Sequence, residues 1–395
     1  MNVDIEFFDA EPIENIVTCL NFKMDKVIYF GNAHEMTIEK RSITAKNLKH
    51  ICGIEDVSFI EISKDNLERL VEVLENVIED EKSKGNHCFA DVTGGGDMEL
   101  VAIGMLIVRQ NLPIHRFDME SGKLIMLNEN GGANIEAMVP KRKIEVNLDD
   151  IMEIHGGAID YNEESIPLEV YESKEFESDV EKMWQIVRKD PRVWNGIAAV
   201  FKNLNNYEVS LNKIATWKSK VESVSKSTGD VRKPEIFYSY FNKLVKIGII
   251  ENVKKEQGKF EFKYKNDAVK QCIIDEGTIL ELHTYYTMKN SGKYTDCRRS
   301  VHINWDADVG LLDDGVENEI DVMAMKGYMP VIVSCKNGRV KKNALYELET
   351  VSNRFGGKYA RKILVSSQGL TAGDAKRARE MGIEVTKEME ENYGK

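Results

Sequence analysis

The chain has 395 residues, a hydrophobic content of 42% and a formal net charge of −12 at neutral pH. That length predicts two or three domains with ordinary apolar cores. No apolar run is long enough for a membrane span and the acidic N-terminus lacks a signal-peptide pattern, so we expect a cytoplasmic protein with no membrane partner.

Cysteine and histidine patterns indicate neither a disulfide framework nor a common metal motif. The six cysteines show no CxxC spacing, which favours reduced core residues, and the seven histidines show no HxH or HExxH spacing. Charge is uneven along the chain: residues 1–150 carry −12 and residues 191–270 carry +8. A polyanion surface is therefore expected in the middle or C-terminal region rather than the N-terminal one.

Residues 1–145 alternate strand and helix patterns. The predicted strands are 4–8, 27–31, 57–62 and 88–92, and the predicted helices are 14–20, 39–51, 67–79 and 99–108. This alternation predicts a parallel, doubly wound α/β sheet, in which ligands bind beyond the carboxyl ends of the strands.

The glycine-rich loop after the fourth predicted strand is the most informative feature of this region. Thr93, Gly94 and Gly95 precede a predicted helix, so backbone N–H groups at a helix N-terminus could bind phosphate. The loop is neither a Walker A motif nor a GxGxxG motif, and a tight turn would have the same composition.

The next two regions are interpreted as a connector and a basic module. Residues 146–190 are acidic and broken by glycines, which indicates a connector. Residues 191–268 predict helices at 197–204, 211–221 and 236–244 followed by strands at 249–254 and 259–264, the order of a winged helix. Arg232, Lys233, Lys243 and Lys246 lie on or near its last helix, so this module either contacts nucleic acid or serves in packing.

The C-terminal region, 269–395, is organised around a predicted β-hairpin. Two apolar runs, 319–325 and 331–338, flank a Gly/Pro turn, and period two places Glu319 and Asp321 on one face of the first. Ser334 and Lys336 share a face of the second. A carboxylate and an ammonium inside a sheet form either a structural ion pair or a catalytic site.

The elements around the hairpin complete a recognisable order. A helix that carries Glu281 precedes it, a weak strand is predicted at Val309–Leu312, and a helix at 343–355, a strand at 362–365, a helix at 372–379 and a last strand at 383–385 follow.

The hairpin resembles the core of the PD-(D/E)xK nucleases. That resemblance implies metal ligation by Asp321 and by the backbone carbonyl of Cys335, and a water-orienting role for Lys336. Ser334 replaces the usual second acid, which Glu281 would supply. Mn²⁺ or Mg²⁺ is the implied cofactor.

The glycine-rich loop and its α/β context resemble a CARF domain, a Rossmann-like sensor of cyclic oligoadenylates. The implied ligand residues lie in three loops: Ala10 and Glu11 after the first strand, Asn32 after the second, and Thr93, Gly94 and Gly95 after the fourth. The order of CARF-like sensor, winged-helix-like module and PD-(D/E)xK-like domain resembles the ancillary CARF nucleases of type III CRISPR systems.

That family implies a homodimer that binds cyclic tetra-adenylate and then cleaves DNA, RNA or both for antiviral defence. Two other interpretations stay open. One is a ligand-responsive nucleic-acid-binding regulator with an inactive nuclease-like core, and the other is an unregulated nuclease whose N-terminal domain only dimerises.

Overall fold

A computed structural model describes residues 1–63, 65–127, 141–161, 167–205, 208–210, 213–229, 231, 233–254, 258–305 and 317–389. Within these residues the chain forms three β-sheets, with strand orders β3-β2-β1-β4-β5-β6, β10-β11-β9-β8 and β16-β15-β14-β13-β12-β7. No described helix has the length and apolar composition needed to cross a bilayer.

The N-terminal region is the predicted doubly wound sheet. Its strands are β1 (Asn2–Phe7), β2 (Lys26–Gly31), β3 (Asp56–Glu61), β4 (His87–Asp91), β5 (Ile114–Asp118) and β6 (Lys123–Leu127). Its helices are α1 (Val17–Asn21), α2 (Ile38–Cys52), α3 (Leu67–Ser83) and α4 (Asp97–Gln110). All neighbouring pairs from β3 to β5 are parallel and β6 adds an antiparallel edge. The carboxyl ends of β1, β2 and β4 therefore share one edge, as the loop positions predict.

Residues 146–190, interpreted as a connector, contain ordered elements. These are α5 (Leu148–Ile154), β7 (Ala158–Asp160), α6 (Leu168–Glu172) and α7 (Lys174–Val187). β7 pairs antiparallel with β12 of the C-terminal sheet, so this segment is built into that sheet. Asn147 caps α5 through its side chain, a start signal that composition alone does not reveal.

The middle region consists of α8 (Pro191–Leu204), β8 (Glu208–Ser210), β9 (Lys213–Trp217), α9 (Lys218–Ser227), α10 (Pro234–Lys246), β10 (Ile250–Lys254) and β11 (Lys259–Tyr264). The predicted helix at 211–221 is only partly right: residues 213–217 form β9, which pairs with β11, and the helix begins at Lys218. Arg232 lies outside the described residues.

The C-terminal region is formed by α11 (Asp267–Ile274), α12 (Thr278–Asn290), β12 (Asp296–Asn304), β13 (Glu317–Lys326), β14 (Met329–Lys336), α13 (Lys342–Gly356), β15 (Arg361–Ser366), α14 (Ala372–Glu380) and β16 (Ile383–Thr386). The predicted hairpin is present as β13 and β14. Its long antiparallel neighbour is β12, which the sequence patterns did not predict, whereas Val309–Leu312 lies outside the described residues.

The C-terminal sheet has an apolar core on each face. Val322, Val333 and Cys335 belong to one core with the middle helices and α12. Ile320 and Ile332, on the alternate face, belong to a second core that includes Ile13 and other residues of the N-terminal region. The middle region therefore has a packing role, and the N-terminal region packs directly on the sheet that carries the hairpin.

Candidate active site and ligand loop

The hairpin opens into a fork at the predicted catalytic residues. The β13–β14 ladder extends from Lys326–Met329 to Val322–Val333, and no pairing continues beyond it among the described residues. Asp321 and Ser334 follow at the point where the two strands separate. Separated strands leave backbone groups and side chains accessible, so the fork is the place on this sheet where a substrate could meet Asp321.

The other predicted residues of the hairpin converge on one oxygen of the Asp321 carboxylate. Asp321 Oδ2 accepts hydrogen bonds from the Cys335 backbone N–H at 2.6 Å, from Ser334 Oγ at 3.2 Å and from Lys336 Nζ at 3.3 Å. The Lys336 side chain is 40% exposed and the Asp321 side chain 14%, so the pair lies at the surface of the fork. The structure thus brings Asp321, Ser334, Cys335 and Lys336 together.

Glu281 belongs to the same site. It lies in the first turn of α12, and burial together with the charge of Asp321 raises the pKa of its carboxyl to about 8. Asp275 and Glu319 raise this pKa further and Lys336 lowers it. Three acidic side chains therefore raise the pKa of Glu281 and one ammonium lowers it. This is the electrostatic pattern of a site that takes up a cation.

Lys336 is held as an ammonium and its strand end is fixed by the middle region. Burial alone would lower the pKa of Lys336, but Asp321 raises it above its usual range. The next residue, Asn337, donates to Asn195 Oδ1 at 3.0 Å and to the Glu276 carbonyl at 2.7 Å, and its own carbonyl accepts from the Asn195 amide. This exchange with α8 anchors the end of β14.

The donor chemistry of the fork fits a hard divalent cation. Glu281 and Asp321 offer carboxylate oxygens, and Mg²⁺ and Mn²⁺ favour such ligands. Within the described ranges, only one group of three His, Cys, Asp or Glu residues has ligand atoms within 4.8 Å of one another, and it lies in the N-terminal sheet: Asp4, Asp91 and His115. The fork thus has the carboxylates for a cation but not three of them at ligand spacing.

The glycine-rich loop is in the predicted place, but carboxylates already occupy its N–H groups. Thr93 N donates to Asp91 Oδ1 at 2.7 Å, Gly95 N donates to Asp9 Oδ2 at 3.3 Å and Gly96 N donates to Glu99 Oε2 at 2.6 Å. An anionic ligand would have to compete with these side chains for the same donors.

Both central positions of this loop favour glycine. A Cβ on Gly94 would lie 3.0 Å from the Asp9 Cβ atom. Gly95 has φ +99°, which only glycine adopts readily, and a Cβ there would lie 3.1 Å from Phe7. The loop therefore approaches the end of β1 closely, which is the arrangement predicted for a ligand site shared by the two strand ends.

The remaining predicted ligand residues, Ala10, Asn32 and Glu11, differ in exposure and in hydrogen-bond partners. Ala10 is exposed. Asn32 Oδ1 accepts from the N–H groups of His34 and Glu35, so its side chain shapes its own loop. Glu11 is only 6% exposed and accepts from Lys358 N at 2.7 Å, so its carboxylate is used in a contact with the C-terminal region. This placement disfavours the predicted ligand contact of Glu11.

Helix α4, which begins after the loop, presents an unusually apolar outer surface. Its exposed hydrophobic residues are Met98, Leu100, Val101, Met105 and Val108. Their exposed fractions range from 37% at Leu100 to 77% at Val108. A contiguous exposed apolar face of this kind is typical of an interaction surface.

Residues 269–393 match the family model described as Card1-like, endonuclease domain. Two solved structures share the overall fold. Protein VC1899 from Vibrio cholerae aligns with TM-score 0.72 and 17% identity over 97% of this chain and 93% of that one. Can2 from Sulfobacillus thermosulfidooxidans, in complex with cyclic tetra-adenylate, aligns with TM-score 0.65 and 15% identity over 97% and 93%. No curated protein matches the chain in sequence.

The C-terminal region, which carries the fork, is therefore similar to a Card1-like endonuclease domain. This match and the fold that the whole chain shares with Can2 confirm the resemblance to CARF-type ancillary nucleases that the sequence indicates.

Sequence reasoning missed some residues of these sites. Asp9 lies at the end of β1, where a ligand loop is expected, but only its neighbours Ala10 and Glu11 were predicted to bind. Glu319 was placed on the face of Asp321 but given no role. Asn195 has no signal in the sequence, because its contact with Asn337 depends on how two distant regions pack.

Proposed function

We propose that this chain is a metal-dependent endonuclease that cyclic tetra-adenylate activates in type III CRISPR antiviral defence, and that it cleaves phosphodiester bonds of DNA, RNA or both. The single observation that carries the proposal is the Asp321–Lys336 fork inside the region that matches an endonuclease domain. Glu281, Asp321, Ser334 and Lys336 are its catalytic residues. Can2, whose fold this chain shares, was solved with the proposed activator.

The proposal gives each residue of the fork a role. Glu281, Asp321 and the Cys335 carbonyl would hold Mn²⁺ or Mg²⁺, which when bound supplies Lewis-acid polarisation of the scissile phosphate and acidifies water. Lys336 offsets phosphate charge and orients the attacking water, since its ammonium stays protonated beside Asp321. Ser334 donates to Asp321 and keeps that carboxylate fixed on the fork.

The proposed activator site is the loop at Thr93, Gly94 and Gly95 together with the end of β1. Its N–H groups already bind carboxylates, so their geometry suits an anion. The apolar face of α4 adjoins this loop, and pairing that face with a second copy would place two loops beside one cyclic ligand. A homodimer with the activator between its sensor regions is therefore part of the proposal.

Asp9 is the first element of the proposed coupling between activator and nuclease. Its carboxylate accepts from Gly95 N through Oδ2 and from Glu11 N at 2.8 Å through Oδ1. Its backbone N–H donates to Asn15 Oδ1 at 2.7 Å. A phosphate that takes the Gly95 N–H displaces Asp9, and the segment from Asp9 to Asn15 must then rearrange.

That segment contacts the turn that precedes β15. Glu11 accepts from Lys358 N, and Glu14, only 4% exposed, accepts from Lys358 Nζ at 2.9 Å and from the Tyr359 hydroxyl. Gly357 has φ +59° and a Cβ there would overlap the Glu11 carboxylate, so the contact is close. β15 pairs with β14 as far as Lys336–Ser366, so movement of this turn reaches the catalytic strand through one strand pairing.

The test is a cleavage assay on supercoiled plasmid and on single-stranded RNA with Mn²⁺, with and without cyclic tetra-adenylate. Wild-type chain and Asp321→Ala are compared, and ligand binding is measured separately by calorimetry. We expect cleavage that needs both the ligand and Asp321.

The other outcomes discriminate between the alternative interpretations. Ligand-independent cleavage that still needs Asp321 would identify an unregulated nuclease. Ligand binding without cleavage of either substrate would identify a ligand-responsive regulator, and cleavage by Asp321→Ala would place the active site elsewhere.

A further inference from the structure

A closed cluster of ionisable groups lies inside the N-terminal sheet, next to the glycine-rich loop. Asp4 on β1, Asp91 at the end of β4 and His115 on β5 come from three adjacent strands, and Asp91 and His115 are direct cross-strand partners. All three residues are 0% exposed. They are thus neither substrate contacts nor part of a solvated surface.

The polar atoms of this cluster converge, and His115 lies at ion-pair distance from both aspartates. His115 Nε2 lies 3.1 Å from Asp4 Oδ1 and 3.5 Å from Asp91 Oδ2. Even so, both Asp4 oxygens and both His115 nitrogens have no hydrogen bond of normal geometry within the described part of the chain. One ligand atom from each residue lies within 4.8 Å of the others, so a single ion could contact all three.

The cluster holds more buried carboxylates than basic groups, and its one basic group is His115, whose pKa burial lowers but Asp4 and Asp91 raise to about 10. Glu6 lies two residues from Asp4 on the same face of β1, is 2% exposed and also has an unpartnered oxygen, Oε1, within the described residues. Three buried carboxylates thus face one imidazole. Each unpaired buried carboxylate costs on the order of several kcal/mol, so unsatisfied buried groups that gather in one place indicate an ion.

Asp91 is oriented in the way that metal ligands usually are. Its Oδ2 accepts from the Thr18 hydroxyl and its Oδ1 accepts from Thr93 N at 2.7 Å. Hydrogen bonds of this kind from outer residues fix the direction of a metal-binding carboxylate. The second of them also ties the cluster to the predicted activator loop at Thr93.

We propose that Asp4, Asp91 and His115 bind one divalent transition-metal ion as a structural centre of the sensor sheet. Two carboxylate oxygens and one imidazole nitrogen form a donor set that suits Zn²⁺ or Mn²⁺. Glu6 is the further carboxylate available to the ion. Because the site is closed, the ion enters as the chain folds, and it holds Asp91 and therefore Thr93 in place.

The experiment measures metal content in a chain that lacks the nuclease carboxylate. Asp321→Ala full-length protein, expressed with added Zn²⁺ and Mn²⁺, is washed with chelator and analysed by mass spectrometry of metals. We expect about one retained ion per chain. Absence of retained metal from a folded chain, or its appearance only when Asp321 is intact, would overturn the proposal.

A second comparison assigns the ion to the cluster. Asp4→Asn in the Asp321→Ala background should lose the ion and unfold at a lower temperature. Asp179→Asn in the same background should keep the ion. Asp179 is a buried carboxylate of α7, 2% exposed, that pairs with Lys182 and Lys265. Equal metal content in the two variants would contradict the assignment.

If Asp4→Asn does not fold, X-ray absorption at the metal edge of the Asp321→Ala chain decides instead. A first shell of nitrogen and oxygen with one imidazole supports the site. A shell that contains sulfur, or that lacks imidazole, overturns it.

Discussion

The fork and the glycine-rich loop, the proposed active site and activator site, use carboxylates in different ways. At the fork, Glu281 and Asp321 face one ammonium at a partly exposed position, and burial leaves the carboxyl of Glu281 with a pKa of about 8. At the glycine-rich loop, Asp9 accepts two backbone hydrogen bonds. Carboxylates that outnumber the ammonium beside them at an opening favour cation binding and chemistry, whereas a carboxylate held only by backbone N–H groups can be displaced and so favours switching.

The largest expected effects are at the fork. Asp321→Asn should lower cleavage by about 10³-fold, because it removes the charge on which Ser334, Cys335 and Lys336 converge. Lys336→Gln should lower it by about 10²-fold, because it removes the ammonium that orients water. Initial rates at saturating activator measure both.

The matched control for this comparison is Glu380→Gln, at an exposed ion pair with Lys376 on α14. It should cleave at the wild-type rate. If Asp321→Asn and Glu380→Gln were equally active, the fork would not be the catalytic site.

The next effect concerns the contact between Glu14 and the turn that precedes β15. Glu14→Gln weakens the bonds to Lys358 Nζ and the Tyr359 hydroxyl, so the stimulation of cleavage by cyclic tetra-adenylate should fall by about 30-fold. Basal cleavage should not fall and the activator should bind no more weakly than to the wild type, since Glu14 lies in neither site. Glu39→Gln, at an exposed position of α2, is the control.

Titration of the activator separates coupling from binding here. Loss of stimulation together with an equal loss of ligand affinity would mean that Glu14 supports the activator site and not the coupling.

Much of this arrangement could be predicted because it follows from local patterns. The alternation of strand and helix signals predicts the sensor sheet, and the charges on an apolar hairpin single out Asp321 and Lys336. Glu281 follows from its position on the helix before that hairpin.

What could not be predicted depends on contacts between distant segments. Asp4, Asp91 and His115 are far apart in the sequence and have no motif spacing, so only the strand order brings them together. The local pattern of residues 213–217 predicts helix, but they form strand β9 because pairing with β11 overrides local propensity. The contact of Glu11 with Lys358 was missed for the same reason, since it joins residues 347 positions apart.

A smaller effect tests the displacement of Asp9. Asp9→Asn removes the charge that competes for Gly95 N but keeps an acceptor of the same size, so the activator should bind about fivefold more tightly. Isothermal calorimetry measures this change. Asp25→Asn, an exposed carboxylate that also accepts a backbone N–H, is the control, and weaker binding by Asp9→Asn would show that Asp9 supports the ligand.

The smallest effect is a pH dependence of stability at the fork. Burial and Asp321 raise the pKa of Glu281 from 4.5 to about 8, so the folded chain binds a proton that the unfolded chain has released between these pH values. Stability from this group is present below pH 4.5 and is lost as pH rises towards 8. Without metal, the unfolding temperature should therefore fall across this range, and Glu281→Gln should remove that part of the slope.

Metal addition provides the internal control for this last measurement. A divalent cation at the fork favours ionised Glu281, so Mn²⁺ should flatten the wild-type slope and leave Glu281→Gln almost unchanged. Differential scanning fluorimetry between about pH 5 and 8, with chelator or Mn²⁺, measures both. If Glu281→Gln keeps the wild-type slope, other groups cause that slope. The first to test are the buried carboxyls of Glu11 and Glu14, whose pKa values are raised by burial.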